Sequence, residues 1–344
     1  MIRFECDYAE GAHPQILKLL TETNFEQTPG YGTDIYCDKA RAMIKDLCDF
    51  KGADVHFLTG GTQANMTVIA SILRPHQGVL CAETGHIQNH ETGAVEATGH
   101  KVLPLPGKDG KITAAQIETA CLEHRNNAEH EHMVQPGMVY ISNPTETGTI
   151  YSRNELKTLS AVCRSHSLPL FLDGARLGYG LAAAPNDLTM ADIAALCDVF
   201  TIGGTKVGAL FGEAVVFTNP ALQTDFRYMI KQRGGMLAKG RLLGIQFVAL
   251  LENGLYFDIS AHAVELALKI KTAFIKKGYA FLYDSFTNQQ FPIIPDRQLE
   301  ILARKYAYSF WQRIDKQLSA VRFCTSWATK KTDVNALIHD IGEL

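Results

Sequence analysis

The sequence predicts an α/β fold on a mostly parallel sheet, followed by a smaller α+β unit. Three observations carry this reading. Short apolar runs bounded by Gly, Pro, Asn or Asp recur from residue 55 to residue 217, as buried strands do. Segments with helical periodicity separate them, and such alternation means strand–helix–strand units around a parallel sheet. The pattern changes near residue 250, and 344 residues is a length that suits roughly two domains.

The strands are read as Val55–Thr59, Gly78–Cys81, Lys101–Leu105, Met138–Ser142, Pro169–Asp173, Asp198–Gly203 and Ala214–Phe217. The helices between them are Thr62–Leu73, Thr113–Arg125, Arg153–His166 and Met190–Leu196. Thr113 opens one as an N-cap, and Ser152 with Glu155 three residues on fits a capping box. Beyond them come an apolar helix Leu237–Leu251, an amphipathic helix His262–Lys277 and strands near Tyr279–Tyr283 and Phe291–Pro295. A helix Gln298–Gln312 follows, with Tyr306, Tyr308, Phe310 and Trp311 read as its core face, then a strand near Val321–Thr325 and a last helix Asp333–Ile341. The expected division is a large domain over 1–250, including an amino-terminal segment 1–20, and a small α+β domain over 251–344.

Composition excludes several classes. Hydrophobic residues make up 46% and charged residues 20% of the chain, a globular balance. Thirty-three basic against 36 acidic residues give a net charge of −3, too weak a field to gather nucleic acid. No uninterrupted apolar run of about 18 residues is present, so no membrane span is expected. The first residues lack the apolar core of a signal peptide. Eight cysteines are scattered without a C-x-x-C pair, which reads as reduced thiols in a cytoplasmic protein. Glu123-His124 and the His130/His132 pair make no metal set, because no spaced third ligand is visible, so no metal site is expected. No Gly-x-Ser-x-Gly elbow or dinucleotide glycine fingerprint occurs.

Three strand ends carry chemistry. In Phe171-Leu172-Asp173-Gly174-Ala175-Arg176, a carboxylate ends an apolar strand, where open sheets bind ligands. Asp173 there either holds a buried cation or caps a turn. In Gly203-Gly204-Thr205-Lys206-Val207-Gly208, the glycines leave room for a flat ligand beside Lys206, which is either a desolvated nucleophile toward a carbonyl or an exposed loop lysine. In Thr59-Gly60-Gly61-Thr62-Gln63-Ala64-Asn65, two glycines lead into a helix whose free N–H groups suit a phosphate, or form a plain turn. Together they meet the needs of pyridoxal 5′-phosphate: donors for its phosphate, a lysine for its aldehyde and an acid to keep its ring nitrogen protonated.

The order and wording of these segments resemble the threonine aldolase and β-eliminating lyase group of type I pyridoxal-phosphate enzymes, with the aspartate-aminotransferase fold. The matching pieces are Tyr31-Gly32-Thr33-Asp34, Thr59 to Asn65, Gly85-His86 with Glu91, Asp173 to Arg176, Thr205-Lys206 and Val321 to Thr325. The resemblance implies a large domain with a mostly parallel seven-stranded sheet. It implies that Lys206 carries the cofactor, Asp173 pairs with its ring nitrogen, Gly61 and Thr62 bind its phosphate, and His86 stacks on the ring. Arg176 and Arg322 would hold the substrate carboxylate, with Arg176 also in the cofactor set. His86 and His132 are the base candidates. The implied reaction is cleavage of L-threonine, L-allo-threonine or a related β-hydroxy-α-amino acid to glycine and an aldehyde. The alternatives are β-elimination, racemisation or transamination. The implied assembly is a homodimer or homotetramer with shared sites, in which Tyr31 crosses to a neighbour.

The departures fall near the substrate. An Arg-Ser-Asp-Thr type segment is replaced by Glu5-Cys6-Asp7-Tyr8, Thr205 and Val207 flank the lysine, and Ser142 to Gly148 differs from the common wording. In the basic stretch Lys231 to Arg241, one of Arg233, Lys239 or Arg241 would reach the phosphate.

Overall fold

A computed structural model describes residues 1–344. Its centre is a seven-stranded sheet. In spatial order the strands are Asp54–Leu58, Glu213–Phe217, Val199–Gly203, Leu170–Asp173, Gln135–Ser142, Gln77–Ala82 and Lys101–Leu105. Glu213–Phe217 runs antiparallel to both neighbours, and the other internal pairings are parallel. Six of the seven strands are buried along most of their length because helices cover both faces; Lys101–Leu105 is the exposed edge. Alternate residues feed the two cores. Leu170, Leu172, Phe200 and Val216 face one, while Phe171, Val199, Val215 and Phe217 face the other. Truncating a fully buried ring such as Phe171 to alanine costs about 3–5 kcal/mol.

The strand and helix expectations for the sheet hold to within three residues. Thr113 with Gln116 and Ser152 with Glu155 both form capping boxes. The carboxy-terminal part differs more. The expected helix Gln298–Gln312 is a short helix, Asp296–Leu302, followed by strands Tyr306–Ala307 and Ser309–Arg313. Tyr306, Tyr308 and Phe310 recur every second residue, which is a strand period; the aromatic cluster was misread as a helix face. Tyr279–Tyr283 forms no strand, only an isolated bridge between Phe281 and Pro292. The helix expected to begin at Leu237 begins at Arg241, and the one expected at His262 begins at Leu255.

The stretch Arg241–Lys276 is long and apolar enough to cross a membrane by length and composition alone. Left-handed residues Asn253 and Gly254 break it in two, and its apolar side chains are buried in the protein core. The helix Leu255–Lys276 serves two cores. Tyr256, Ile259 and Val264 join the sheet's core, whereas Leu266, Ile270 and Phe274 join a third core under the carboxy-terminal strands.

The amino-terminal segment 1–20, expected with the large domain, is divided between the units. Ile2–Arg3 pairs with Tyr306–Ala307, and Phe4 enters the carboxy-terminal core. Ala12 and Ile16 pack into the sheet's core. The chain between them passes over the carboxyl ends of the strands, which brings Asp7 to the candidate site. All eight cysteines are free.

Candidate active site

Asp173 ends its strand, and Lys206 follows the next strand over. Gly174 and Gly203 let these segments cross at contact distance. A Cβ on Gly174 would collide with the Thr201 carbonyl oxygen, and one on Gly203 with the Ala175 carbonyl. Gly203 N–H donates to the Gly174 carbonyl (3.0 Å), and Gly174 N–H donates to Thr201 Oγ1 (2.8 Å). The acid and the lysine therefore open into one cavity of ≈ 250 Å³, shared with Thr59 to Thr62, His86, Ser142, Glu146, Arg176 and Glu213. A wider space of ≈ 640 Å³ adjoins it and adds His90, Tyr283, Gln289, Phe310, Trp311 and Arg322.

The cavity floor is an acid held ionised. Asp173 Oδ2 accepts from Tyr140 Oη (2.6 Å) and Asn65 Nδ2 (2.9 Å), and Oδ1 accepts from the Ala175 amide (2.8 Å). Burial pushes its pKa up, but His86, these donors and Lys206 outweigh burial and leave it below the ordinary carboxylate value. Asn65 Nδ2 also donates to Glu91 Oε1 (2.8 Å), and that same oxygen lies 2.7 Å from His86 Nδ1. A carboxylate oxygen accepting from Asn65 accepts from His86 too, so His86 carries a proton on Nδ1, and in the neutral ring Nε2 is the acceptor.

At one end of the cavity, Gly60 caps the helix Gly61–Ile72. The amides of Gly61, Thr62 and Gln63 have no partner inside the helix. A Cβ on Gly60 or Gly61 would meet no atom within 4 Å, so space for a bulky anion lies against the donors. Gln63 pins the loop, accepting from the Thr59 amide and hydroxyl and donating to the Arg233 carbonyl (3.0 Å).

Lys206 lies half-buried in the opposite wall. Burial lowers its pKa first and the Arg176 cation lowers it further, against the pull of Asp7, Asp173 and Glu213. Such an amine is a stronger nucleophile near neutrality than a surface lysine. Arg176 is held by Asp7, whose Oδ2 accepts from Nε (2.6 Å) and Oδ1 from Nη2 (2.9 Å). Asn288 donates to the same carboxylate (2.9 Å). Burial would raise the Asp7 carboxyl, yet the Arg176 charge holds it at about 2. Arg322 donates to Gln289 Oε1 (3.1 Å) and the Glu5 carbonyl (2.8 Å), over the Trp311 ring.

Gly61, Thr62, His86, Asp173, Arg176 and Lys206 thus converge, with Arg322 in the adjoining space. His132 does not. It sits exposed in a single turn before Gln135–Ser142, at the end of that strand remote from the cavity, roughly 25 Å away by strand length. A histidine preceding a strand is at its amino end, whereas the site uses carboxyl ends. Tyr31 lies outside both spaces, in an open groove with Arg227, Tyr228, Lys231 and Met236. Arg233, Lys239 and Arg241 line neither space. Arg241 donates to the carbonyls of Glu26 (2.7 Å) and Asn24 (3.1 Å).

Sequence reasoning assigned no role to Asp7, Tyr140 or Glu213. Asp7 had a signal, since the acid of the Arg-Ser-Asp-Thr type segment is retained. Glu213 had one too, as a carboxylate opening an otherwise apolar strand.

The donor set fits pyridoxal 5′-phosphate: amides at a helix start with open space before them, an ionised acid on the cavity floor and an amine of lowered basicity.

The family model described as beta-eliminating lyase matches residues 14–291. A low specificity L-threonine aldolase of a Pseudomonas strain is 32% identical over 98% of this chain and 96% of its own length. Its counterpart in Pseudomonas aeruginosa is 30% identical over the same shares. A Leishmania major threonine aldolase structure superposes with a TM-score of 0.97 at 44% identity, covering 100% of this chain and 99% of that one. These likenesses span both units and the site between them, and the chain belongs to the beta-eliminating lyase family, in its threonine aldolase group.

Proposed function

We propose that this protein is a pyridoxal-phosphate-dependent aldehyde-lyase that cleaves L-threonine, L-allo-threonine or a related β-hydroxy-α-amino acid to glycine and an aldehyde. The observation that carries the reading is the convergence of Lys206, Asp173 and the Gly61–Thr62 helix start on one cavity. Bound there, the cofactor supplies an electron sink for the pair released when the Cα–Cβ bond breaks.

The protein's own groups do the rest. Gly61 and Thr62 would hold the phosphate, Lys206 would bind the aldehyde, Asp173 would keep the ring nitrogen protonated, and His86 would stack on the ring. Arg176 offers the guanidinium donors that Asp7 leaves free to the substrate carboxylate, and Arg322 faces the same space. His86 Nε2 is the acceptor placed for the β-hydroxyl proton, whose removal drives release of the aldehyde. Glu91 fixes that ring nitrogen by holding the other.

Tyr31, exposed in an open groove outside the site, is assigned with the resemblance to an interface with a second copy of the chain, in a homodimer or homotetramer with shared sites. Eight free cysteines support a reducing, cytoplasmic setting. Product analysis with L-threonine tests the reaction. Equal amounts of glycine and acetaldehyde are expected; ammonia with a keto acid would replace this reading with elimination, and a D-amino acid would replace it with racemisation.

A further inference from the structure

Glu213 belongs to none of the roles above. It opens the strand Glu213–Phe217, paired on one side with Gly203 and on the other with Leu58. The glycine opposite leaves its side chain room to turn into the cavity that Lys206 also lines. The residue is 3% exposed, and its Oε2 is buried with no hydrogen-bond partner. A buried carboxyl oxygen without a partner is costly, so an acid at this place calls for a reason beyond packing. Arg176 and Lys206 line the same cavity; Asp7 takes Arg176, which leaves the Lys206 amine as the cation whose charge lowers the Glu213 carboxyl.

We infer that Glu213 is a positioning residue for Lys206, an internal acid that stores the proton of the lysine amine. The step is a single proton transfer. The N–H bond of the Lys206 ammonium breaks, an O–H bond forms on the Glu213 carboxylate, and a neutral amine and a neutral acid result; the reverse step restores the two charges. Lys206 must be free of its proton to attack a carbonyl carbon, and it must regain one when displaced. Proton storage beside it avoids exchange with bulk water across a filled cavity.

The surrounding charges favour this sharing. Burial raises the Glu213 carboxyl to about 8, with Asp173 adding to the rise and Lys206, the Thr205 hydroxyl and the Gly204 amide opposing it. Lys206 is lowered by burial and by Arg176, and is raised by Asp7, Asp173 and Glu213. His86 and Glu146 line the same cavity, and the Glu213 charge is felt by the buried Tyr256 hydroxyl. Two groups displaced toward each other titrate as a pair rather than singly.

This inference rests on Lys206 being the reactive amine, and its test does not depend on which amino acid is cleaved. The full chain, stripped of cofactor, is labelled with trace acetic anhydride from pH 6 to pH 10. Labelling at the Lys206 peptide is read by mass spectrometry in the wild type, Glu213→Gln and Glu213→Asp. The wild type is expected to show a broad, two-step rise in Lys206 labelling. Glu213→Gln is expected to show a single step with an acid-shifted midpoint, labelling about tenfold faster at pH 8. Glu213→Asp, which keeps the acid, is expected to restore the broad profile. Should Glu213→Gln fail to fold, the aspartate variant still decides, because a broad profile with a changed midpoint supports pairing. A Glu213→Gln profile identical to the wild type's overturns the inference; where only Glu213→Asp folds, a midpoint identical to the wild type's overturns it. Unchanged profiles beside normal glycine formation would sink it while leaving the aldolase reading intact.

Discussion

Replacing Asp7 by asparagine removes one charge and one acceptor from a buried carboxylate that serves three donors. Arg176 Nε and Asn288 share Oδ2, and Arg176 Nη2 takes Oδ1. An asparagine has one acceptor oxygen, so its NH₂ must face either the guanidinium or the Asn288 amide, donor against donor. A carboxyl held at about 2, against ~3.9 in an unfolded chain, contributes on the order of 3 kcal/mol at neutral pH. That agrees with the roughly 3–5 kcal/mol lost when one partner of a buried pair is removed. The sign follows from the lowered pKa: the contribution is complete above about pH 5 and disappears as pH falls through 2. Scanning calorimetry of wild type and Asp7→Asn at pH 7 is therefore expected to show a melting temperature lower by several degrees. Initial-rate measurements on L-threonine should show KM raised about tenfold, because Arg176 loses the contact that aims its free donors. An unaltered melting temperature together with an unaltered KM would refute the assignment of Asp7 as the anchor of Arg176.

Two further outcomes follow, one from the place of His132 and one from the proposed crossing of Tyr31 to a second copy. His132→Ala should leave kcat/KM for L-threonine within about twofold of wild type, since that exposed turn lies at the far end of its strand; a hundredfold loss would return His132 to the list of bases. Tyr31→Ala and Lys206→Ala should each be inactive alone, yet recover part of the activity when mixed and refolded, because a hybrid oligomer holds one intact shared site. No recovery from the mixture would place Tyr31 outside the site.

The sheet was legible because its strands are short, apolar and punctuated, and because a parallel sheet covered on both faces demands that composition. Asp173, Lys206 and the Gly60–Gly61–Thr62 turn were legible for a related reason: each sits immediately past a strand end, and strand ends gather ligands. What stayed hidden were pairings between distant positions. Asp7 meets Arg176 only because the first residues are tied to Tyr306–Ala307 and then led across the sheet. Tyr140 looks like a core aromatic in an apolar run, and only its register beside Asp173 shows that its hydroxyl has a partner. The aromatic stretch from Tyr306 to Trp311 was misread because four large apolar residues within six suit either period; pairing of Tyr306–Ala307 with Ile2–Arg3 and of Ser309–Arg313 with Leu318–Cys324 decided it. His132 lies outside its own chain's cavity, since nearness in sequence to a strand does not say which end of the sheet is reached.

The central claim is that the amine of Lys206 is the group that binds the aldehyde of pyridoxal 5′-phosphate. Borohydride reduction of the cofactor-loaded protein, followed by peptide mass mapping, tests it most directly. A pyridoxyl-phosphate adduct on Lys206, with loss of absorbance near ~420 nm and no adduct at that position in Lys206→Ala, is the expected result. An adduct on a different lysine of the wild type, or none anywhere, would contradict the account.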